Sequence, residues 1–196
     1  MKTPENILPF GGEVYLYPAL FNEKESTELY TLLTERIAWK QEPIVIFGRE
    51  IMQPRLTAWY GDTDKPYSYS GITMQPHPWT ADLLRIKQRI ETVAEQAFTS
   101  ALLNLYRDGR DSMGWHRDNE KELGANPVIG SVSFGMPRTF QLKHATEKKL
   151  TKKVLLTNGS FLLMKGATQH NWLHSIPKEP PITGGRINLT FRTIYR

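Results

Sequence analysis

Arg186-Ile187-Asn188-Leu189-Thr190-Phe191-Arg192 alternates polar and apolar side chains without a break. A period of two is that of a β-strand, so Ile187, Leu189 and Phe191 share one face while Arg186, Asn188, Thr190 and Arg192 share the other. The apolar face belongs against a core. The polar face is more informative, because two arginines and two hydrogen-bonding side chains turned inward are costly to bury without an anionic partner. A dicarboxylate would satisfy them, since a guanidinium holds a carboxylate bidentately. Taken alone, the same residues also suit the solvated side of an edge strand.

Upstream of this strand the alternation recurs. Leu103, Leu105 and Arg107 interleave with Asn104 and Tyr106; Val128, Gly130, Val132 and Phe134 interleave with Ile129, Ser131 and Ser133. Thr139 to Lys143, Lys153 to Leu156 and Ser160 to Lys165 read as further strands, with Asn158-Gly159 as a hairpin turn between the last two. Nearer the N-terminus Asn22 is followed three residues later by Glu25, a capping-box arrangement, and Leu29, Leu32, Leu33 and Ile37 recur at helical spacing. A second helix starts at Thr80 and carries Leu83, Leu84, Ile90, Val93, Ala94 and Ala97 on one face. Between the helices, Ile44-Val45-Ile46-Phe47-Gly48, Pro54-Arg55, Trp59-Tyr60-Gly61-Asp62 and Tyr67-Ser68-Tyr69-Ser70-Gly71 suggest short strands and turns. The expected fold is α+β and mainly β: a double-stranded β-helix, or jelly roll, with N-terminal helices packed outside.

At 196 residues the chain suits one domain spanning 1–196, with an N-terminal extension over roughly 1–100 and a jelly-roll core over 101–196. It contains no cysteine, which excludes disulfides, iron–sulfur clusters and thiolate zinc sites. Any metal must use imidazole and carboxylate. No apolar run is long enough to span a bilayer and the first residues lack a signal-peptide core, so a soluble intracellular monomer is expected, cytoplasmic in a bacterium or nuclear in a eukaryote. The net charge of +5 favours polyanionic partners. Much of it lies between Arg138 and Lys165, where Lys143, Lys148, Lys149, Lys152 and Lys153 face one acid, Glu147.

His116-Arg117-Asp118 and His174 complete the pattern. Residues i and i+2 of an extended segment point the same way, so His116 and Asp118 can meet one ion. With a second imidazole they would occupy one face of an octahedral ferrous ion and leave positions open. Spacing leaves His170 and His174 both available as that imidazole.

Together, Asn104-Leu105-Tyr106, His116-Arg117-Asp118-Asn119-Glu120, Ser131-Val132-Ser133-Phe134-Gly135, His174 and Arg186 to Arg192 resemble, in order and spacing, the AlkB-type Fe(II)/2-oxoglutarate-dependent dioxygenases that repair alkylated nucleic acids. The similarity covers roughly residues 40 to 194 and is closest to the double-stranded-DNA repair homologue subgroup. It implies that His116, Asp118 and His174 bind Fe(II), deciding for His174 over His170. It also implies that Asn104, Tyr106, Arg186, Asn188, Thr190 and Arg192 surround 2-oxoglutarate, with Arg192 at its distal carboxylate, and that O2 is the second cosubstrate. Phe47, Gly48 and Arg49 resemble a hairpin whose aromatic wedge enters the duplex, and Tyr67, Ser68 and Tyr69 a lid over the flipped base. Arg55, Asn119 and Glu120 would line the substrate pocket, with Asn119 standing where the subgroup has an acid. The implied activity is oxidative demethylation of 1-methyladenine and 3-methylcytosine in alkylated DNA, with formaldehyde released. The alternatives are a related oxygenase acting on RNA, protein or a small molecule, and a non-catalytic jelly roll that binds nucleic acid.

Overall fold

The computed structural model describes residues 4–46, 49–62, 67–69, 72–74 and 76–195. In chain order the elements are β1 (Glu13–Tyr17), α1 (Glu23–Arg36), β2 (Pro43–Ile46), β3 (Arg49–Met52), β4 (Leu56–Gly61), β5 (Tyr67–Tyr69), β6 (Ile72–Met74), α2 (Ala81–Ala94), β7 (Ser100–Tyr106), β8 (Met113–His116), β9 (Ile129–Gly135), β10 (Arg138–His144), β11 (Thr151–Leu156), β12 (Ser160–Lys165), α3 (Thr168–Asn171), β13 (Trp172–Ile176) and β14 (Arg186–Arg192). Among the described residues, six strands form a major sheet in the order β1-β12-β9-β14-β7-β4, and four form a minor sheet in the order β11-β10-β13-β8. Their ladders are antiparallel. Two further hairpins, β2-β3 and β5-β6, stand outside both sheets.

Strand alternation sorts the side chains into two cores. Ile187, Leu189 and Phe191 of β14, with Val132, Phe134 and Leu103 of its neighbours, pack against Leu29 and Leu33 of α1 and Leu83, Ile86 and Ile90 of α2. Between the sheets, Phe140, Leu142, Val154, Leu156 and Trp172 from the minor one meet Val14, Ile129, Leu162 and Met164 from the major one. Each such side chain fully buried contributes roughly 1.5–3 kcal/mol of transfer free energy. The jelly roll with helices on one outer face is therefore the observed architecture, and the polar face of β14 looks into the space between the sheets.

Helix caps follow the residues. Asn22 accepts from the Glu25 N–H at 2.9 Å and Thr80 from the Leu83 N–H. The Glu25 carboxylate does not complete a capping box. It lies buried between Arg85 and Arg89 of α2, joining the two helices. Burial alone would raise its pKa, but the hydrogen bonds from Arg89 and Arg85 win and hold it below the usual glutamate value. On α2 the inward face is Leu83, Ile86 and Ile90; Leu84 is 39% exposed, and Ala97 lies beyond the helix end.

Two expectations about chain organisation fail. Asn158-Gly159 joins no hairpin: β11 pairs with β10, whereas β12 pairs with β1 and β9. The turn carries the chain from one sheet to the other, with Asn158 Oδ1 accepting from the Gly135 N–H at 2.9 Å. Nor does a boundary near residue 100 follow the sheets, because β1 and β4 form the two edges of the major sheet. Long-range pairing, invisible in local pattern, recruits both. β1 and β13 themselves were not foreseen.

Candidate active site

His116 ends β8 and His174 sits in β13, directly opposite one another in the ladder. Their ring centroids are 4.2 Å apart. A register shift follows between His174 and Ile176, the kind of bulge that re-aims side chains at sheet edges. Asp118, 2% exposed, lies two residues past the end of β8. One ligand atom from each of these three residues lies within 4.8 Å of the others, the group among the described residues suited to hold a metal ion.

Local contacts prepare each donor. His116 Nδ1 lies 2.8 Å from the Gly114 carbonyl, so the N–H placed there leaves Nε2 as a ligand atom. His174 stacks on Phe140 at 5.3 Å. Burial, aided by the neighbouring His116, pushes its pKa down to about 3, which keeps the imidazole in the neutral form a metal requires. Burial of Asp118 works against its ionised form, yet Arg192 and the two histidines prevail and bring its pKa down to about 2. Arg192 Nη2 donates to Asp118 Oδ1 at 2.8 Å. The carboxylate is thus ionised and oriented before any ion arrives.

The same cavity continues between the sheets. Asn104 and Tyr106 of β7, Ser131 of β9, and Arg186, Asn188, Thr190 and Arg192 of β14 line its major-sheet wall. Arg186 is 1% exposed and donates Nη2 to Ser133 Oγ at 2.9 Å, while its Nε and Nη1 have no hydrogen-bond partner. Burial lowers its pKa to about 10, so it stays cationic at neutral pH. A buried cation with two open donors is the expected receptor for a carboxylate. Asn188 by contrast spends its amide donors on Ser131 Oγ and the Val132 carbonyl.

Several expected positions fall differently. His170, the rival ligand, is exposed and turned to the Ala125 carbonyl. Arg192, expected at the distal carboxylate, donates to Asp118, while Arg186 lines the same cavity with its Nε and Nη1 open. Arg55 is buried away from the cavity lining and donates Nε to Asn104 Oδ1 at 2.7 Å, so it holds Asn104 in place. Asn119 is exposed, and half-buried Glu120 keeps Oε2 enclosed without a partner. Arg49 belongs to β3, and Tyr67, Ser68 and Tyr69 form β5, paired with β6. Phe47 and Gly48 lie outside the described residues.

The basic segment also divides. Arg138 is buried, bonded to Glu179 at 2.9 Å and to the Asp108, Asp111 and Pro177 carbonyls, and like Arg186 it lies over the Tyr106 ring. Lys148, Lys149 and Lys153 are exposed, and Lys143 lies 4.3 Å from the Trp115 ring beside His116. Glu179 and Gln169 are supporting residues that the sequence does not single out, while Ser131 and Ser133 stand in it only within a matching motif and Arg138 only within the basic run. Only the inward alternation of Ser131 and Ser133 carried a visible signal.

A His-Asp-His triad and an open buried guanidinium in one jelly-roll cavity define an oxygenase that uses Fe(II) and 2-oxoglutarate. The family model described as the 2OG-Fe(II) oxygenase superfamily matches residues 13–192. The chain is 42% identical over 193 residues to alpha-ketoglutarate-dependent dioxygenase alkB homolog 3 of Mus musculus, covering 94% of this chain and 67% of that protein. It is 36% identical over 188 residues to DNA oxidative demethylase ALKBH2 of Homo sapiens, covering 91% and 72%. The solved structure of OsALKBH1 superposes with a TM-score of 0.67 at 16% identity, covering 95% of this chain and 99% of that one, and supports the fold. The chain belongs to the AlkB family of Fe(II)/2-oxoglutarate-dependent dioxygenases, in the group that includes these two relatives. It spans about two thirds of the length of alkB homolog 3. No helix among the described residues is long and apolar enough to cross a membrane.

Proposed function

We propose that this protein removes alkyl groups from the bases of damaged DNA by oxidative demethylation, with 1-methyladenine and 3-methylcytosine as substrates. The observation that carries this reading is the juxtaposition of the triad with Arg186 in one buried cavity, within a family whose relatives are named as DNA oxidative demethylases. His116, Asp118 and His174 would hold Fe(II). Arg186, beside Tyr106 and Asn104, would take the distal carboxylate of 2-oxoglutarate, leaving its 2-oxo acid end toward the metal. Thr190 and Asn188 line the wall between.

Fe(II) held by these residues would, with 2-oxoglutarate and O2, supply the oxidising chemistry for hydroxylating an N-methyl group, the cosubstrate leaving as succinate and CO2 and the hydroxylated methyl as formaldehyde. The chain's own part is positional. Arg192 fixes one Asp118 oxygen and so directs the other toward the histidines. Phe140 and Met164 line the cavity, shielding the reacting centre from water. Glu120, two residues from Asp118, would be the acceptor for an exocyclic amine of a flipped base. These lesions block the Watson–Crick edge, which lowers the cost of flipping. Phe47, Gly48, Arg49, Tyr67, Ser68, Tyr69 and Asn119 complete the proposed base contacts, and the exposed lysines of the β10-β11 hairpin favour a polyanionic strand.

Formaldehyde release from methylated duplex DNA, single-stranded DNA and RNA tests this reading. The expected result is turnover on DNA, abolished by His116→Ala or Asp118→Ala and lowered on duplex by Phe47→Ala. Turnover confined to RNA would reassign the substrate. Absence of succinate formation with iron and ascorbate would point to a binding module.

A further inference from the structure

The three metal-ligand candidates are not held by the same means. His116 and His174 face each other across a strand ladder, whose backbone hydrogen bonds set their separation. Asp118 lies past the end of β8, outside any ladder. Its backbone N–H is buried and must still find an acceptor. That acceptor is a side chain: Gln169 Oε1, at 3.0 Å. Gln169 is 0% exposed and directs its Nε2 to the sulfur of Met164 at 3.7 Å.

The rest of α3 is tied down independently. Thr168 Oγ1 accepts from the Glu13 N–H at 2.8 Å and lies 2.6 Å from the Lys165 carbonyl. The His170 carbonyl accepts from Arg117 at 2.9 Å, and Asn171 donates to Gly11 at 3.0 Å. A rigid four-residue helix thereby presents one amide oxygen to the backbone of the carboxylate ligand. We infer that Gln169 is a positioning residue for the metal centre, standing in for the missing strand partner of Asp118 and setting the affinity of the triad for its ion. Arg192 orients the carboxylate; Gln169 fixes the backbone from which it projects.

This inference rests on the metal-centre reading above, and one titration separates the two. Co(II) binding to the metal-free full chain is followed by visible absorption and calorimetry. Gln169→Leu keeps the volume and removes the acceptor; it should weaken Co(II) about 10- to 100-fold, the range typical of groups that orient metal ligands. Gln169→Glu restores an acceptor oxygen and should recover most of that loss. Thr168→Val loosens α3 without touching Asp118 and should leave Co(II) affinity within a few-fold of the parent. Equal weakening by Thr168→Val and Gln169→Leu, or no recovery with Gln169→Glu, would overturn the assignment. If Gln169→Leu does not fold, Gln169→Met takes its place in the same comparison. Failure of the parent chain to bind Co(II), or binding unaffected by Asp118→Ala, would instead overturn the metal-centre reading.

Discussion

At the scale of single residues, Arg186 and Arg192 share a strand face and a chemistry but not a task. Arg192 meets Asp118, and Arg186 keeps two donors open in the same cavity. Arg186→Met should therefore weaken 2-oxoglutarate binding to Mn(II)-loaded protein by at least about 100-fold, since each lost charge-assisted hydrogen bond costs roughly 1.5–3 kcal/mol. Calorimetric titration checks it, and a loss of only a few-fold would remove Arg186 from the carboxylate site. The alternation of β14 made both arginines legible as inward-facing. Which of them meets Asp118 was not, because strand period orders side chains along one strand and says nothing of what stands opposite. His170 teaches the same lesson: four residues from His174, it sits exposed in α3 and turns to the Ala125 carbonyl, whereas His174 is buried in β13.

At the scale of elements, the chain's crossings between sheets carry the fold. Gly159 adopts a φ of 77°, and a Cβ there would lie 2.2 Å from the Phe21 carbonyl oxygen. Both the left-handed backbone and the contact forbid a side chain. Gly159→Ala should cost roughly 2–3 kcal/mol of stability, measurable as a lower midpoint in urea with an unchanged slope. An unshifted midpoint would mean that α1 and the turn yield easily. The helices, with their Asn22 and Thr80 caps, and the strands from β7 onward, β13 apart, were readable because caps and apolar periods are local signals. The turn at Asn158-Gly159 looked like a hairpin for the same reason: its residues specify a reversal, and the partner of each strand is chosen elsewhere. Glu25 fits the capping pattern by spacing, but two arginines of α2 compete more strongly for its carboxylate.

At the scale of the whole molecule, packing the two sheets together buries His174 and Asp118 and so couples stability to pH. The folded pKa of His174 is about 3 against 6.5 for the free group, and that of Asp118 is about 2 against 3.8. In both cases the unfolded chain takes up a proton that the folded chain refuses. Their contribution is complete above pH 6.5, erodes as His174 resists protonation down to about 3, and is further lost by Asp118 between 3.8 and 2. The metal-free protein should accordingly unfold at progressively lower temperature from pH 7 to pH 4, and His174→Gln should flatten that slope. An equal slope in the variant would show that other groups carry the acid sensitivity.

The sequence by itself determined the fold class, the two helices, most strands and the residue types of the triad and of the cosubstrate wall, because these rest on period, caps and side-chain chemistry that neighbours along the chain reveal. The tertiary structure alone decided that β1 and β4 edge the major sheet, that Arg192 rather than Arg186 meets Asp118, that Arg138 is a buried tie, and that Gln169 accepts from the Asp118 backbone N–H. Each of those depends on residues far apart in sequence meeting in space, which only the pairing of strands and the packing of two sheets can bring about.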